Sequence, residues 1–182
     1  MSRDLIIIAD YDPAWPGLFA DQAATLRQAL GPVALRIDHI GSTSVVGLAA
    51  KPIIDVQISV ASLEPVEPFR APLESLGYVF HGENPELTKR YFREPPGTRR
   101  THLHARRAGS FSEQFALLFR DYLRAHPDEA AAYARLKHEL AATYREDREG
   151  YTDAKQPYVY ALIARADTWA QATGWQPGPS DA

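Results

Sequence analysis

The sequence contains no cysteine, and this absence excludes several kinds of chemistry at once. Disulfide bonds, thiolate metal sites, iron–sulfur clusters and cysteine nucleophiles all need a thiol. The lack of cysteine also fits a reducing compartment, where disulfides are rare. We therefore expect a cytoplasmic protein.

Long apolar runs and an excess of charge of one sign are also missing. No apolar run approaches the roughly 18 residues that span a bilayer, and we expect no membrane partner. The short run at 5–9 has acidic residues on both sides, which is unlike a signal peptide, and it predicts a first strand. The 20 Lys and Arg against 23 Asp and Glu give a net charge of −3, which disfavours a nucleic-acid partner held by overall charge.

What is present is the composition of one compact domain. The chain has 182 residues, of which 45% are hydrophobic and 24% charged, as is usual for a globular protein. We expect a single domain over residues 1–175. Residues 176–182 are rich in Pro, Gly and Ser, and we expect this tail to be disordered.

Hydrophobic periodicity predicts a sheet in the first part of the chain and helices in the last. Asp12 followed by Pro13 predicts the start of the first helix. Ser110 and Glu113 have capping-box spacing, and apolar residues at helical spacing predict three helices after them. Alternating apolar residues predict strands at 33–38, 53–60, 78–80, 88–93 and 101–106. The fold class is therefore α/β in the broad sense (α+β), a mixed sheet flanked by helices with a helical C-terminal portion.

The segment HIGSTSVVGLAAKPIID at 39–55 gives the strongest indication of chemistry. Gly41 lets the backbone approach a ligand, and the N–H groups and hydroxyls of Ser42 and Thr43 suit a phosphate. Lys51 adds a point charge that also suits phosphate. Each feature has a plainer interpretation, which is a hydroxyl-rich helix cap for the turn and a solvated loop residue for the lysine.

Asp55 follows this turn on a predicted strand, where it shares one face with Gln57. A Gly-Ser turn followed by an acid on the next strand is the layout of a nucleotidyltransferase core. Such a core pairs carboxylates at i and i+2, because two Mg²⁺ ions must bridge the attacking and leaving oxygens. Gln57 is a neutral and much poorer ligand, so the second carboxylate is missing.

His102 and His104 share one face of the predicted strand at 101–106. Two imidazoles at i and i+2 suit a metal ion, a phosphate or proton transfer. His39 offers a third imidazole if its strand lies nearby. The plainer interpretation is a half-exposed strand face.

Basic residues concentrate at 89–107, where seven Lys and Arg accompany a single acid, Glu94. Arg93 in this stretch either lines an anion-binding wall or belongs to the solvated rim of a hairpin. Lys155 lies four residues before Val159 and therefore on the inward face of the last helix. It either meets an anion there or extends its amine to solvent.

Five blocks, in order along nearly the whole chain, resemble the GrpB family: YDPAWPGLF at 11–19, HIGSTSVVGLAAKPIID at 39–55, HLH at 102–104, FRDYLRAHP at 119–127 and YTDAK at 151–155. The resemblance implies a nucleotidyltransferase-like fold, and in some bacteria the same domain is fused behind dephospho-CoA kinase. It places the family's Gly-Ser signature on Gly41 and Ser42 and its first metal-binding acid on Asp55. The second acid would fall on Gln57, which departs from the pattern.

These observations predict a protein that binds a nucleotide or another phosphorylated small molecule and transfers a nucleotidyl or phosphoryl group with Mg²⁺. We expect Asp55, His102 and His104 to be catalytic, with Asp55 also the metal ligand. The residues expected to bind phosphate or ligand are His39, Gly41, Ser42, Thr43, Lys51, Arg93 and Lys155. The alternative is a non-catalytic relic of a nucleotidyltransferase that binds a ligand or a partner protein, and the sequence leaves both open.

Overall fold

Residues 5–182 of the chain, which the computed structural model describes, contain a mixed sheet flanked by helices. The strands are β1 (Arg36–Ile40), β2 (Ile54–Val60), β3 (Val79–Phe80), β4 (Arg90–Arg93) and β5 (Thr101–Arg107). The helices are α1 (Trp15–Leu30), α2 (Glu67–Ser75), α3 (Phe111–Ala125), α4 (Pro127–Thr143) and α5 (Arg148–Thr173). The predicted mixed sheet, flanking helices and helical C-terminal portion are confirmed.

The strands lie in the order β1-β2-β5-β4-β3. Strand β2 pairs with β5 in parallel, whereas the other neighbours pair antiparallel. Parallel neighbours need a long crossover connection, and here α2, β3 and β4 lie between β2 and β5 in the chain. The centre of the sheet is therefore formed by two strands that are distant in sequence.

The two faces of β2 differ in polarity, as its period-2 pattern predicts. Ile54, Val56 and Ile58 belong to the apolar core that the sheet forms with α1 and α2. Gln57 and Ser59 face the other way and hydrogen-bond Glu113 of α3. A second apolar cluster joins α3, α4 and α5 to the loop after β1, so the polar face of β2 lies towards the C-terminal helices.

The predicted first strand at 5–9 is wrong. Ala9 forms only an isolated bridge with Ala50, in which each N–H donates to the other's carbonyl oxygen at 2.9 Å. Ile6 is buried against Tyr151 of α5. The apolar side chains of this run cover the C-terminal helices instead of extending the sheet.

Helix α1 begins two residues later than predicted. The Asp12 carboxylate accepts a hydrogen bond from Ala14 N at 2.8 Å, and its carbonyl accepts one from Trp15 N at 3.0 Å. Asp12 therefore closes a turn ahead of the helix and does not cap it. Strand β1 also begins later than predicted, at Arg36, because a 3₁₀ turn at Gly31–Val33 precedes it.

Residues 176–182, the tail expected to be disordered, have no helix or strand and lie along the free edge of β1. Ile37 N donates to Ser180 Oγ, and His39 N donates to the Asp181 carboxylate, both at 2.9 Å. These bonds pair N–H groups that an edge strand otherwise leaves without a partner.

Within residues 5–182, none of the helices combines the length and the apolar character that crossing a membrane requires.

Asp38 provides a test of the buried polar contacts beneath the sheet edge. Its side chain is fully buried, and Arg36 donates to both carboxylate oxygens at 2.8 and 3.0 Å. Asp38→Asn removes the charge that the half-buried Arg36 pairs with, so we expect a cost of about 1.5–3 kcal/mol, the worth of a charged hydrogen bond. The exposed pair of Arg70 and Glu74 is the matched control, and Glu74→Gln should cost at most about 1 kcal/mol. Urea denaturation measures both, and equal small losses would contradict this role of Asp38.

Candidate functional site

The register of β2 against β5 brings the candidate site together. Asp55 lies opposite His102, and Gln57 lies opposite His104, in the parallel ladder. On the other side of β2, Ile40 lies opposite Asp55, so the turn that follows β1 begins beside the carboxylate. The predicted association of the Gly-Ser turn, the acid and the two histidines thus has a direct geometric basis.

The Asp55 carboxylate lies between the two imidazole rings. Its Oδ1 atom is 3.2 Å from His102 Nδ1 and 3.1 Å from His104 Nε2, and it accepts a hydrogen bond from each in the tautomer that protonates that nitrogen. Burial acts to raise the pKa of Asp55, but these two hydrogen bonds outweigh it and hold the pKa well below its usual value. Burial lowers the pKa of His104 to about 4. At neutral pH the site therefore contains a carboxylate and a neutral His104 ring.

Gly41 meets Asp55 at very short range. Its φ of +71° with ψ of −174° is backbone that side-chain-bearing residues rarely adopt. A Cβ at this position would lie 2.8 Å from Asp55 Oδ2. Only glycine allows the turn to approach the carboxylate so closely.

The hydroxyls of Ser42 and Thr43 form hydrogen bonds with groups inside the protein. Thr43 Oγ1 lies 3.0 Å from His39 Nε2 and donates to a backbone carbonyl at 3.2 Å. Ser42 Oγ accepts a hydrogen bond from Lys137 Nζ at 3.0 Å. Because its donors and acceptors are already engaged inside the protein, Thr43 supports the shape of the turn.

Seventeen residues line a cavity of about 400 Å³ in front of this turn. The predicted residues among them are Gly41, Ser42, Thr43, Lys51, Asp55, His102, His104 and Lys155. The lining residues that the sequence analysis did not select are Ala50, Ile53, Lys89, Phe119, Tyr133, Lys137, Arg148, Tyr151 and Thr152.

Two predicted ligand-binding residues lie outside this lining. His39 is buried and stacks on Phe19 with ring centroids 4.7 Å apart, and burial lowers its pKa to about 4. Arg93 lies opposite His102 in the ladder of β4 and β5, but its guanidinium pairs with Glu94 at 2.9 Å. Both residues pack around the site without lining the cavity.

Lysine is concentrated in the cavity to an unusual degree. The sequence contains four lysines, and all four line it: Lys51, Lys89, Lys137 and Lys155. Arg148 adds a fifth cation, and Asp55 is the single carboxylate among the described lining residues. The cavity therefore carries an excess of positive charge in a chain whose net charge is −3.

This crowding disfavours the charged forms of the lysines. Burial, with the charges of Lys155 and Arg148, lowers the pKa of Lys51 to about 8. Burial, with the charges of Lys155 and Lys51, lowers the pKa of Lys137 to about 7. Lys89 pairs with Glu86, but Lys51, Lys137 and Lys155 share a cavity in which Asp55 is the one carboxylate among the described lining residues. Such an excess of cations favours an anionic ligand.

Lys137 is the most informative residue that the sequence analysis missed. It is buried on α4, and its Nζ donates to Ser42 Oγ and to the Ala49 carbonyl oxygen. A signal was present, because Lys137 stands four residues from both Tyr133 and Ala141 on the buried stripe of that helix. A lysine within a buried stripe requires a polar partner.

The Gly-Ser turn follows β1, and the acid lies on the next strand, β2. With the mixed sheet between helices, this arrangement is a nucleotidyltransferase-like fold. The likeness extends to solved structures of that class. The Cid1 poly(U) polymerase superposes on 74% of this chain and 43% of its own, with a TM-score of 0.53 and 13% identity. At that identity the likeness concerns the fold alone.

The chain belongs to the GrpB family. The family model described as GrpB protein matches residues 5–165. The crystal structure of the conserved protein GrpB from Enterococcus faecalis is 36% identical, with a TM-score of 0.81, over 90% of this chain and 99% of that one.

Two relatives are longer than the present chain, which matches only part of each. A UPF0157 protein of Pseudomonas aeruginosa is 45% identical over 90% of this chain and 68% of its own length. The dephospho-CoA kinase of Mycobacterium leprae is 35% identical over 91% of this chain. The present chain spans 47% of that kinase, or about half its length.

Gly41→Ala tests the close approach of the turn to Asp55. The new methyl group meets Oδ2, and the backbone angle is strained for alanine, so we expect a loss of about 1–3 kcal/mol. Gly17 is the matched control, because it lies in α1 where a new methyl group would have open space around it, and Gly17→Ala should stabilise by about 0.5–1 kcal/mol. Thermal denaturation measures both changes, and a neutral Gly41→Ala would contradict the constraint.

Proposed function

We propose that this protein binds a nucleotide or another phosphorylated small molecule in the cavity between the Gly41 turn and α5. The observation that carries the proposal is the convergence of all four lysines of the chain on this cavity. Phosphate groups carry the negative charge that would compensate these cations, and lysine suits phosphate as a point charge.

The arrangement of the lysines supports a ligand with more than one charged group. Lys51 and Lys155 lie over the ring of Tyr151, with Nζ 4.7 and 5.4 Å from its centroid. Lys137 approaches the same cavity beneath Ser42. A phosphate chain placed along this row would relieve the mutual repulsion of the lysines, which gives its binding an electrostatic driving force.

The magnesium pair typical of nucleotidyl transfer does not fit these residues. Gln57, at the position of the second acid, is fully buried. Its Oε1 accepts a hydrogen bond from Arg106 at 2.6 Å, and its Nε2 donates to the Glu113 carbonyl oxygen at 3.4 Å. One Cid1 structure holds MgGTP, but among the described residues that line this cavity Asp55 alone offers a carboxylate for Mg²⁺.

Ligand binding without catalysis is the candidate that the engaged Gln57 favours. Group transfer is the second candidate, favoured by the contact of Asp55 with His102 and His104 at the cavity wall. In that case these three residues are the catalytic groups, and the neutral His104 is able to accept a proton. Incubation with a nucleoside triphosphate and mass spectrometry of the nucleotide separates the two, because transfer consumes the triphosphate and binding leaves it intact.

A thermal-shift screen tests binding with nucleotides, sugar phosphates and, because relatives are named dephospho-CoA kinases, CoA-pathway phosphates, each with and without Mg²⁺. A ligand at a hundred times its Kd adds about 2.7 kcal/mol of stability, which raises the Tm of a domain of this size by about 5–11 °C.

Lys137→Met should weaken that binding by about 1.5–3 kcal/mol, the worth of a charged hydrogen bond.

No lysine can serve as the matched control, because all four line the cavity. Arg135 supplies the control instead, since it is exposed on the same helix as Lys137. Arg135→Met makes the same change in net charge and should retain the full ligand shift. A flat response of the unaltered protein across the panel would contradict the proposal. So would an undiminished shift in Lys137→Met.

A further inference from the structure

Asp55, His102 and His104 form a compact set of metal-ligating side chains. One ligand atom from each residue lies within 4.8 Å of the other two. The three residues stand on adjacent central strands, where the parallel register fixes their spacing. Rigid strands hold ligand positions more firmly than loops do.

The structure also shows which imidazole nitrogens of His102 and His104 could ligate a metal ion. His102 Nε2 and His104 Nδ1 are buried without a hydrogen-bond partner. The other nitrogen of each ring faces Asp55. An ion that enters from the cavity therefore meets His102 Nδ1, His104 Nε2 and a carboxylate oxygen.

The ligand set of two imidazole nitrogens and one carboxylate oxygen suits a transition-metal ion better than Mg²⁺, which paired carboxylates bind. Mg²⁺ prefers an octahedron of oxygen ligands and keeps several waters. Imidazole nitrogen suits first-row transition metals such as Zn²⁺. Three protein ligands with an open fourth position are typical of catalytic zinc sites, and all three side chains here line the cavity.

We propose that Asp55, His102 and His104 bind one divalent transition-metal ion of the Zn²⁺ class, in preference to Mg²⁺. The open coordination position faces the lysine-lined cavity, where a phosphate oxygen of a ligand would reach it. The ion takes the place of the ring protons that face Asp55, and each neutral ring then carries its proton on the other nitrogen, His102 Nε2 and His104 Nδ1. The proposal does not rest on phosphate binding, because the ion needs no other ligand to enter.

Isothermal titration of the metal-stripped full chain with Zn²⁺ alone, and with Mg²⁺ alone, tests the site. We expect one Zn²⁺ per chain and no Mg²⁺ binding in the same range. His102→Ala and His104→Ala should each weaken Zn²⁺ binding by more than the roughly 10- to 100-fold that loss of an outer-shell partner costs. No phosphorylated compound is present, so failure here leaves the proposed function standing, and the reverse also holds.

His81 is the matched control, because its Nδ1 lies 3.0 Å from Glu83 on the protein surface. His81→Ala should retain the full Zn²⁺ affinity. If either site variant fails to fold, as judged by circular dichroism, the visible absorption of Co²⁺ added to the unaltered chain replaces it. A four-coordinate site should give bands more intense than those of the octahedral aqueous ion. Equal affinity for Zn²⁺ and Mg²⁺, unchanged binding in folded His102→Ala and His104→Ala, or a Co²⁺ spectrum identical to that of the aqueous ion would each overturn the proposal.

Discussion

The parallel pairing of β2 with β5 is the constraint on which the site depends. It sets Asp55 against His102 and Gln57 against His104. Because side chains alternate across a strand, a slip of one residue would turn the whole polar set to the opposite face. The apolar face of β2 in the core with α1 and α2 makes such a slip costly. The packing that stabilises the sheet therefore also fixes the spacing of the three ionisable side chains.

The same strand has two polar environments along one face. At one end, Asp55 opens to the cavity and lies between two imidazoles. Two residues on, Gln57 is closed off by Arg106 and the backbone of α3. The second position has become part of the protein interior, whereas the first remains available to a ligand. This asymmetry distinguishes the site from one that uses two carboxylates. The lysines around Asp55 favour an anionic ligand in the cavity.

Periodicity in the sequence predicted the polar faces of the two central strands correctly, since the direction of a side chain follows from its place in an alternating pattern. It did not predict that these strands are neighbours, because Asp55 and His102 are 47 residues apart and pairing at that distance is decided by packing. The approach of Lys137 depends on how α4 docks, which no local pattern specifies. For Arg93 the predicted strand was correct but the predicted ligand contact was not found, because its guanidinium pairs with Glu94 and does not line the cavity.

The most direct test of the account is the titration of the four lysines by NMR, with ¹³C at Cε, because every signal reports on the cavity. Without ligand, two signals should titrate near pH 7 and pH 8, because burial and neighbouring cations lower the pKa of Lys137 to about 7 and that of Lys51 to about 8. A saturating phosphate monoester, which is fully ionised at pH 8, should raise both values towards the ordinary lysine pKa of about 10.4. Four signals that titrate at the ordinary value and do not respond to the monoester would contradict the account.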